Sequence, residues 1–134
     1  MQKEQAIILD TNFWLSPYEL RVDILGGLED LFEYKPYIIL VPTPVLDELK
    51  MMASIPGKKN YVAARSALEV IDRLVVQGKA KHVVSKGKAD DILISLSKKE
   101  EAWVATNDKM LRLRLKEEGI KTVIIKDSHK VQFA

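Results

Sequence analysis

The sequence predicts an α/β fold: a single Rossmann-like, three-layer α/β/α domain over residues 1–134, built on a central parallel sheet of about five strands. Three observations predict it. Short runs rich in Ile and Val alternate with stretches of helical period, the order expected of a parallel sheet covered by helices on both faces. The runs, Ile7-Ile8-Leu9 and Tyr37-Ile38-Ile39-Leu40-Val41 among them, are apolar without alternation, which suits strands buried on both sides. A chain of 134 residues that is 47% hydrophobic, with six Gly and five Pro, can bury a core and is neither collagen-like nor of disordered composition.

Taken in order, strands are expected near residues 6–9, 37–41, 81–84, 103–105 and 122–125. The first ends at Asp10. The helix counted second along the chain has a readable start after the strand at 37–41, with Thr43 as N-cap and Pro44 at its first position. Val45, Leu46, Leu49, Met52 and Ala53 form its apolar face, and Ile55-Pro56-Gly57 ends it. The next helix begins near Asn60, carries Ala64, Ala67, Leu68, Ile71, Leu74 and Val75 toward the core, and stops at Gly78. Ala89, Ile92, Leu93 and Leu96 mark a helix after the strand at 81–84. Met110, Leu111 and Leu115 mark a last one, closed by Gly119. Trp14, Tyr37 and Trp103 are expected in the core. Residues 56–60 read as an exposed loop whose Gly57-Lys58-Lys59 lacks the upstream glycine and the context of a P-loop.

Composition excludes several chemistries. With no Cys there is no disulfide, thiolate zinc site or cysteine nucleophile. The longest clean apolar run, residues 37–41, is far short of the roughly 20 residues of a membrane helix. Residues 6–9 are too few for a signal-peptide core and stop at Asp10, so a cytoplasmic location without membrane contact is expected. The net charge of +2 conceals an asymmetry: residues 1–57 carry 4 basic and 9 acidic side chains, net −5, and residues 58–134 carry 17 and 10, net +7. An acidic centre beside a basic surface suits a phosphodiester substrate, although an ordinary solvated surface has the same sum.

Open α/β sheets bind ligands at the carboxyl ends of their strands, and acidic residues fall there repeatedly. Asp10 closes the first strand, Glu48 lies in the helix after the second, Asp90 and Asp91 open the helix after the third, and Asp108 follows the fourth. Each alone could be a helix cap or turn residue. Four segments delivering carboxylates to one sheet edge would instead create repulsion that folding does not need, and a hard divalent cation would relieve it. A turn of about 100° per residue sets Glu48 at the border of the Val45, Leu49, Met52 stripe and turns Asp47 away. The same count places Asp90 nearer the apolar face than Asp91.

These segments resemble the PIN-domain ribonuclease family over nearly the whole chain. The matching pieces are Ile7-Ile8-Leu9-Asp10-Thr11-Asn12, then Val41-Pro42-Thr43-Pro44-Val45-Leu46-Asp47-Glu48, then Ala89-Asp90-Asp91-Ile92, and Val104-Ala105-Thr106-Asn107-Asp108. The 18-residue interval from Asp90 to Asp108 is similar to the family's spacing of its third and fourth acidic positions, which favours Asp90 over Asp91. Within the family the chain resembles stand-alone archaeal and ribosomal-RNA-processing members more than VapC-type toxins, because Ile94-Ser95-Leu96-Ser97 replaces the toxins' usual run of small residues. The cysteines that some eukaryotic relatives use for zinc are absent.

The resemblance implies a sheet ordered 3-2-1-4-5 and a metal-dependent endoribonuclease. Its catalytic and metal-ligating residues would be Asp10, Glu48, Asp90 or Asp91, and Asp108, with one or two Mg²⁺ or Mn²⁺ ions as cofactor. Asn12 and Thr106 would support a carboxylate or a water. Lys86, Lys88, Lys109 and Arg112 are the candidates for RNA binding, within the acid-free stretch at 79–88 and a second cluster at 109–116. The partners implied are single-stranded or structured RNA, with a homodimer and an antitoxin-like or ribosome-assembly protein as further candidates. His82 and His129 have no identifiable catalytic partner. Two alternatives compete: a haloacid-dehalogenase-like phosphatase, against which stands Asn12 in place of the second Asp, and a non-catalytic PIN-fold module that binds RNA or protein, whose expected mark is loss of an acidic position.

Overall fold

The computed structural model describes residues 4–127 and 129–134. The strand β1 (Gln5–Leu9) leads into two helices, α1 (Thr11–Glu19) and α2 (Ile24–Leu31), before β2 (Tyr37–Pro42). Two helices rather than one therefore precede Thr43. There follow α3 (Thr43–Met52), α4 (Tyr61–Val76), β3 (Ala80–Val83), α5 (Ala89–Glu100), β4 (Trp103–Ala105), α6 (Lys109–Glu117), β5 (Thr122–Lys126) and β6 (Lys130–Phe133). All five expected strands are present, with ends shifted by at most one residue.

The sheet runs β3-β2-β1-β4-β5-β6. The first five strands are parallel, and β6 pairs antiparallel with β5, placing Val131 opposite Ile125. This sixth strand escapes a search for continuous apolar runs because only Val131 of its four residues is buried. Its alternation is that of an edge strand covered on one face. Val131 packs on α2, where Gly27 makes the approach possible: a Cβ at Gly27 would lie 2.6 Å from the Val131 Cβ.

The core lies on both faces of the central strands. Ile7, Ile8, Leu9, Ile39, Val104, Ala105 and Val123 are fully buried, as continuous apolar strands require. The α4 stripe is turned inward, against α1, α3 and β3, except for Val75, which is 44% exposed, and Met110 is 72% exposed, leaving Leu111 and Leu115 to dock α6. Trp14 is buried, whereas Trp103 and Tyr37 are only half-buried and join Phe32 and Phe133 in an aromatic cluster. No described helix is long and apolar enough to cross a membrane.

The expected N-cap of α3 is displaced by one residue. Pro42 is the N-cap and Thr43 the first helical residue, because the Thr43 side chain is engaged elsewhere. Strand order reverses between β1 and β4, so their carboxyl ends frame the crevice in which such sheets bind ligands. Asp10 follows the first of these strands, and Thr106, Asn107 and Asp108 follow the second.

Candidate functional site

Asp10 is the buried member of the acidic set, 7% exposed. It caps α1: one carboxylate oxygen accepts the Phe13 N–H at 2.8 Å, and the other accepts the Thr106 hydroxyl. Thr106 is fully buried, and its Oγ1 also accepts the Asp108 N–H at 3.1 Å. A single hydroxyl thus ties the two acidic residues across β1 and β4. Asp108 caps α6 by accepting the Leu111 N–H at 2.9 Å. Asn107 between them exchanges two hydrogen bonds with the Ile125 backbone, at 2.7 and 2.8 Å, and carries the β4–β5 pairing past the end of β4.

Glu48 and Asp90 reach the same place from helices. With Asp10 and Asp108 they line one cleft of about 170 Å³, floored by Val45 and Leu93 and rimmed by Asn12. Glu48 and Asp90 are exposed, as is Asn12. Their elements are joined by an exchange that has no signature in the sequence. The Thr43 N–H donates to Ser85 Oγ at 3.1 Å, the Ser85 N–H donates to Thr43 Oγ1 at 3.0 Å, and His82 Nε2 lies 2.9 Å from the same Thr43 oxygen. This exchange pins the start of α3 to the loop that leads into α5. Thr43 is engaged in this exchange in place of the capping role its position suggests, and only tertiary structure brings Ser85 to it.

The remaining sequence candidates lie outside the cleft. Asp91, one residue round the helix from Asp90, pairs with Arg114 at 2.9 Å. Lys86 and Lys88 lie in the exposed loop between β3 and α5. Lys109 and Arg112 line a separate groove beside α6. Thr106 sits beneath the cleft, holding Asp10 and Asp108.

Electrostatics single out Asp10. Burial, reinforced by the charges of Asp108 and Asp90, pushes its pKa up to about 6 against the opposing hydrogen bonds from Thr106 and Phe13. Among the described residues, none of those lining the cleft is Lys, Arg or His, so its negative charge has no cationic partner there. An all-oxygen donor set of four carboxylates is the chemistry that a hard divalent cation takes. Among the described residues, however, no three acidic or imidazole groups stand close enough together to hold an ion without moving. The donor types therefore fit the cation, and Glu48, Asp90 and Asp108 present exposed side chains at the cleft.

A family model described as PIN like domain matches residues 7–128. Among curated proteins, the chain is similar to Ribonuclease VapC9 of Archaeoglobus fulgidus, 29% identical over 130 residues that cover 96% of this chain and 89% of that protein. Among solved structures it is similar to the PIN domain endonuclease Utp24, with a TM-score of 0.73 and 25% identity over 96% of this chain and 90% of that one. It also shares its fold with a domain of a functionally unknown protein from Methanocaldococcus jannaschii, with a TM-score of 0.66, 16% identity and 91% of each chain covered.

Proposed function

Since the chain belongs to the PIN-domain family, we propose that it is a ribonuclease, specifically a divalent-metal-dependent endoribonuclease that hydrolyses RNA phosphodiester bonds at the Asp10 cleft. One observation carries the proposal: four carboxylates from four separate elements line a single cleft without a balancing cation, and the buried one has its pKa raised. Helix capping accounts for one oxygen each of Asp10 and Asp108 but not for Glu48 or Asp90.

Asp10, Glu48, Asp90 and Asp108 would hold the cation, Mg²⁺ or Mn²⁺. When bound, the ion supplies Lewis acidity at the scissile phosphate and makes water at the site more acidic. Thr106 keeps an Asp10 oxygen and the Asp108 backbone in register, so that the two central carboxylates meet the substrate already oriented. Asn12 supplies an amide at the rim to orient water or a phosphate oxygen. Asp91 is a surface ion-pair residue in this reading. Lys86, Lys88, Lys109 and Arg112 hold the RNA backbone.

The similarity to proteins named as a ribonuclease and an endonuclease supports this reading over the phosphatase alternative, and the intact acidic set supports it over a non-catalytic module. Ile94 and Leu96, in place of small residues, are buried as core residues of α5, and the similarity to a protein named as a VapC ribonuclease supports the toxin-type role alongside the RNA-processing one. The test is cleavage of a single-stranded RNA by the parent and by Asp10→Asn, with Mn²⁺ and with a chelator, beside a small phosphate monoester. Metal-dependent RNA cleavage by the parent alone is expected, with the monoester untouched. Monoester hydrolysis without RNA cleavage would restore the phosphatase.

A further inference from the structure

Outside the acidic cleft, the strongest unexplained feature is the outer face of α6. Lys109, Arg112, Leu113 and Lys116 recur at the spacing of a buried stripe, yet Leu111 and Leu115 already dock the helix. The second stripe lines a groove of about 670 Å³ whose other side includes Ile120 and Lys121. Four cations share this groove, and none of its lining residues among those described is Asp or Glu. Neighbouring cations are treated differently: Arg114 is paired with Asp91, and Lys98 with Glu118. Among the described residues Lys109, Arg112 and Lys116 have no such partner.

We propose that this groove is a track for the phosphodiester backbone of single-stranded RNA, leading the strand away from the acidic cleft. The proposal rests on the ribonuclease reading for the identity of its ligand. A row of unpaired like charges repels itself, and a polyanion relieves that repulsion while releasing counterions. The groove is separate from the cleft but starts one residue from it along the chain, since Lys109, at its near end, directly follows Asp108, which lines the cleft. From Lys109 to Lys116 the helix advances about 10 Å at 1.5 Å per residue, roughly the rise of three phosphates along one strand of a nucleic-acid helix. Beyond it, the Lys121 ammonium lies 5.0 Å from the centre of the Trp103 ring, which packs at 4.7 Å against Phe133, itself 42% exposed. A cationic track that ends beside an exposed ring, Phe133 backed by the half-buried Trp103, is a combination that binds single strands without sequence preference, the cations taking phosphates and the ring taking a base.

The experiment measures fluorescence anisotropy of a labelled oligouridylate of about 12 nucleotides in chelator, where no metal-dependent cleavage occurs, as a function of salt. It compares the parent with Lys116→Glu/Lys121→Glu, the milder Lys116→Gln/Lys121→Gln, and the charge-matched Lys58→Glu/Lys59→Glu in the distant loop. The Glu groove variant should lose about tenfold or more in affinity. The Gln variant should lower the slope of log affinity against log salt by about 1.4, at about 0.7 for each phosphate no longer neutralised. The loop variant should bind much more like the parent. Equal losses in the loop and groove variants, or no RNA binding by the parent, would overturn the track. A parent that binds RNA through the groove yet cleaves none with Mn²⁺ would refute the ribonuclease reading and leave the track standing. A groove variant that binds and cleaves like the parent would do the reverse.

Discussion

The cleft has two unlike halves. Asp10 and Asp108 stand at the ends of adjacent central strands, each capping a helix and both tied to the buried Thr106 hydroxyl. Glu48 and Asp90 stand on α3 and α5, are exposed, and share a cleft through the Thr43–Ser85 exchange. The sheet-borne half is pre-organised, so its cost is already present in the folded chain as a buried carboxylate with a raised pKa. The helix-borne half presents exposed side chains from helices held together by that exchange. In the proposed site one wall is therefore fixed by helix caps and a shared hydroxyl, and the other is formed by exposed side chains.

The largest effects should come from the rigid half. Asp10→Asn should reduce RNA cleavage by at least about 100-fold, since even the groups that hold a metal's ligands in place are worth about 10–100-fold, while leaving the metal-free fold as stable or more so. The sign follows from the pKa of about 6 in the folded chain against the ordinary 3.8. Between these values the folded state holds a proton that the unfolded state has lost. The parent's stability should therefore fall as pH rises from about 4 to about 6, by on the order of 3 kcal/mol, and stay lower above that. Asp10→Asn should flatten that window, as thermal melts across pH will reveal.

Thr106→Val should come next, because it strips the partner from both Asp10 and the Asp108 N–H. A loss of about 2–3 kcal/mol and a fall of about tenfold or more in cleavage are expected. Thr106→Ser, which keeps the hydroxyl, should recover most of the activity. Gly27→Ala probes the scaffold away from the cleft: overpacking against Val131 should cost about 1–3 kcal/mol in denaturant melts. Cleavage per folded molecule should be unchanged.

In the helix-borne half, Ser85→Ala should cost only about 1 kcal/mol but should raise the Mn²⁺ concentration needed for half-maximal cleavage. An unchanged metal requirement would mean that the exchange holds the loop and not the site. Asp91→Asn should be the smallest change, about 0–1 kcal/mol for an exposed ion pair, with cleavage near the parent's level. A loss as large as that of Asp10→Asn would move Asp91 into the cleft's chemistry.

The rigid half was also the legible one. Continuous apolar strands followed by Asp10 and by Thr106-Asn107-Asp108 mark strand ends by composition alone, and parallel topology makes those ends neighbours. Helical rotation separates Glu48 from Asp47, whereas what favours Asp90 over Asp91 is the resemblance of the 18-residue interval to Asp108 to the family's spacing. What could not be read depends on contacts between distant segments. Ser85 meets Thr43 across 42 positions, and the first helical residue therefore looked like a cap. The strand β6 buries one residue in four and lacks the continuous signature of the others. Trp103 and Tyr37 look like core by residue type, yet the sheet's end leaves them half-buried.

The central claim is that the four carboxylates act together as one hard-cation site. Its most direct test is calorimetric titration of Mn²⁺ into the metal-free parent and Asp10→Asn, at about pH 5.5 and about pH 8, in buffers of different ionisation enthalpy. The parent should bind at both, more weakly at the lower pH, and should there release part of a proton that is absent at the higher one, as a cation displaces the proton held by Asp10. Asp10→Asn should bind far more weakly with no such proton. Equal binding by the two proteins, or none by the parent, would contradict the claim.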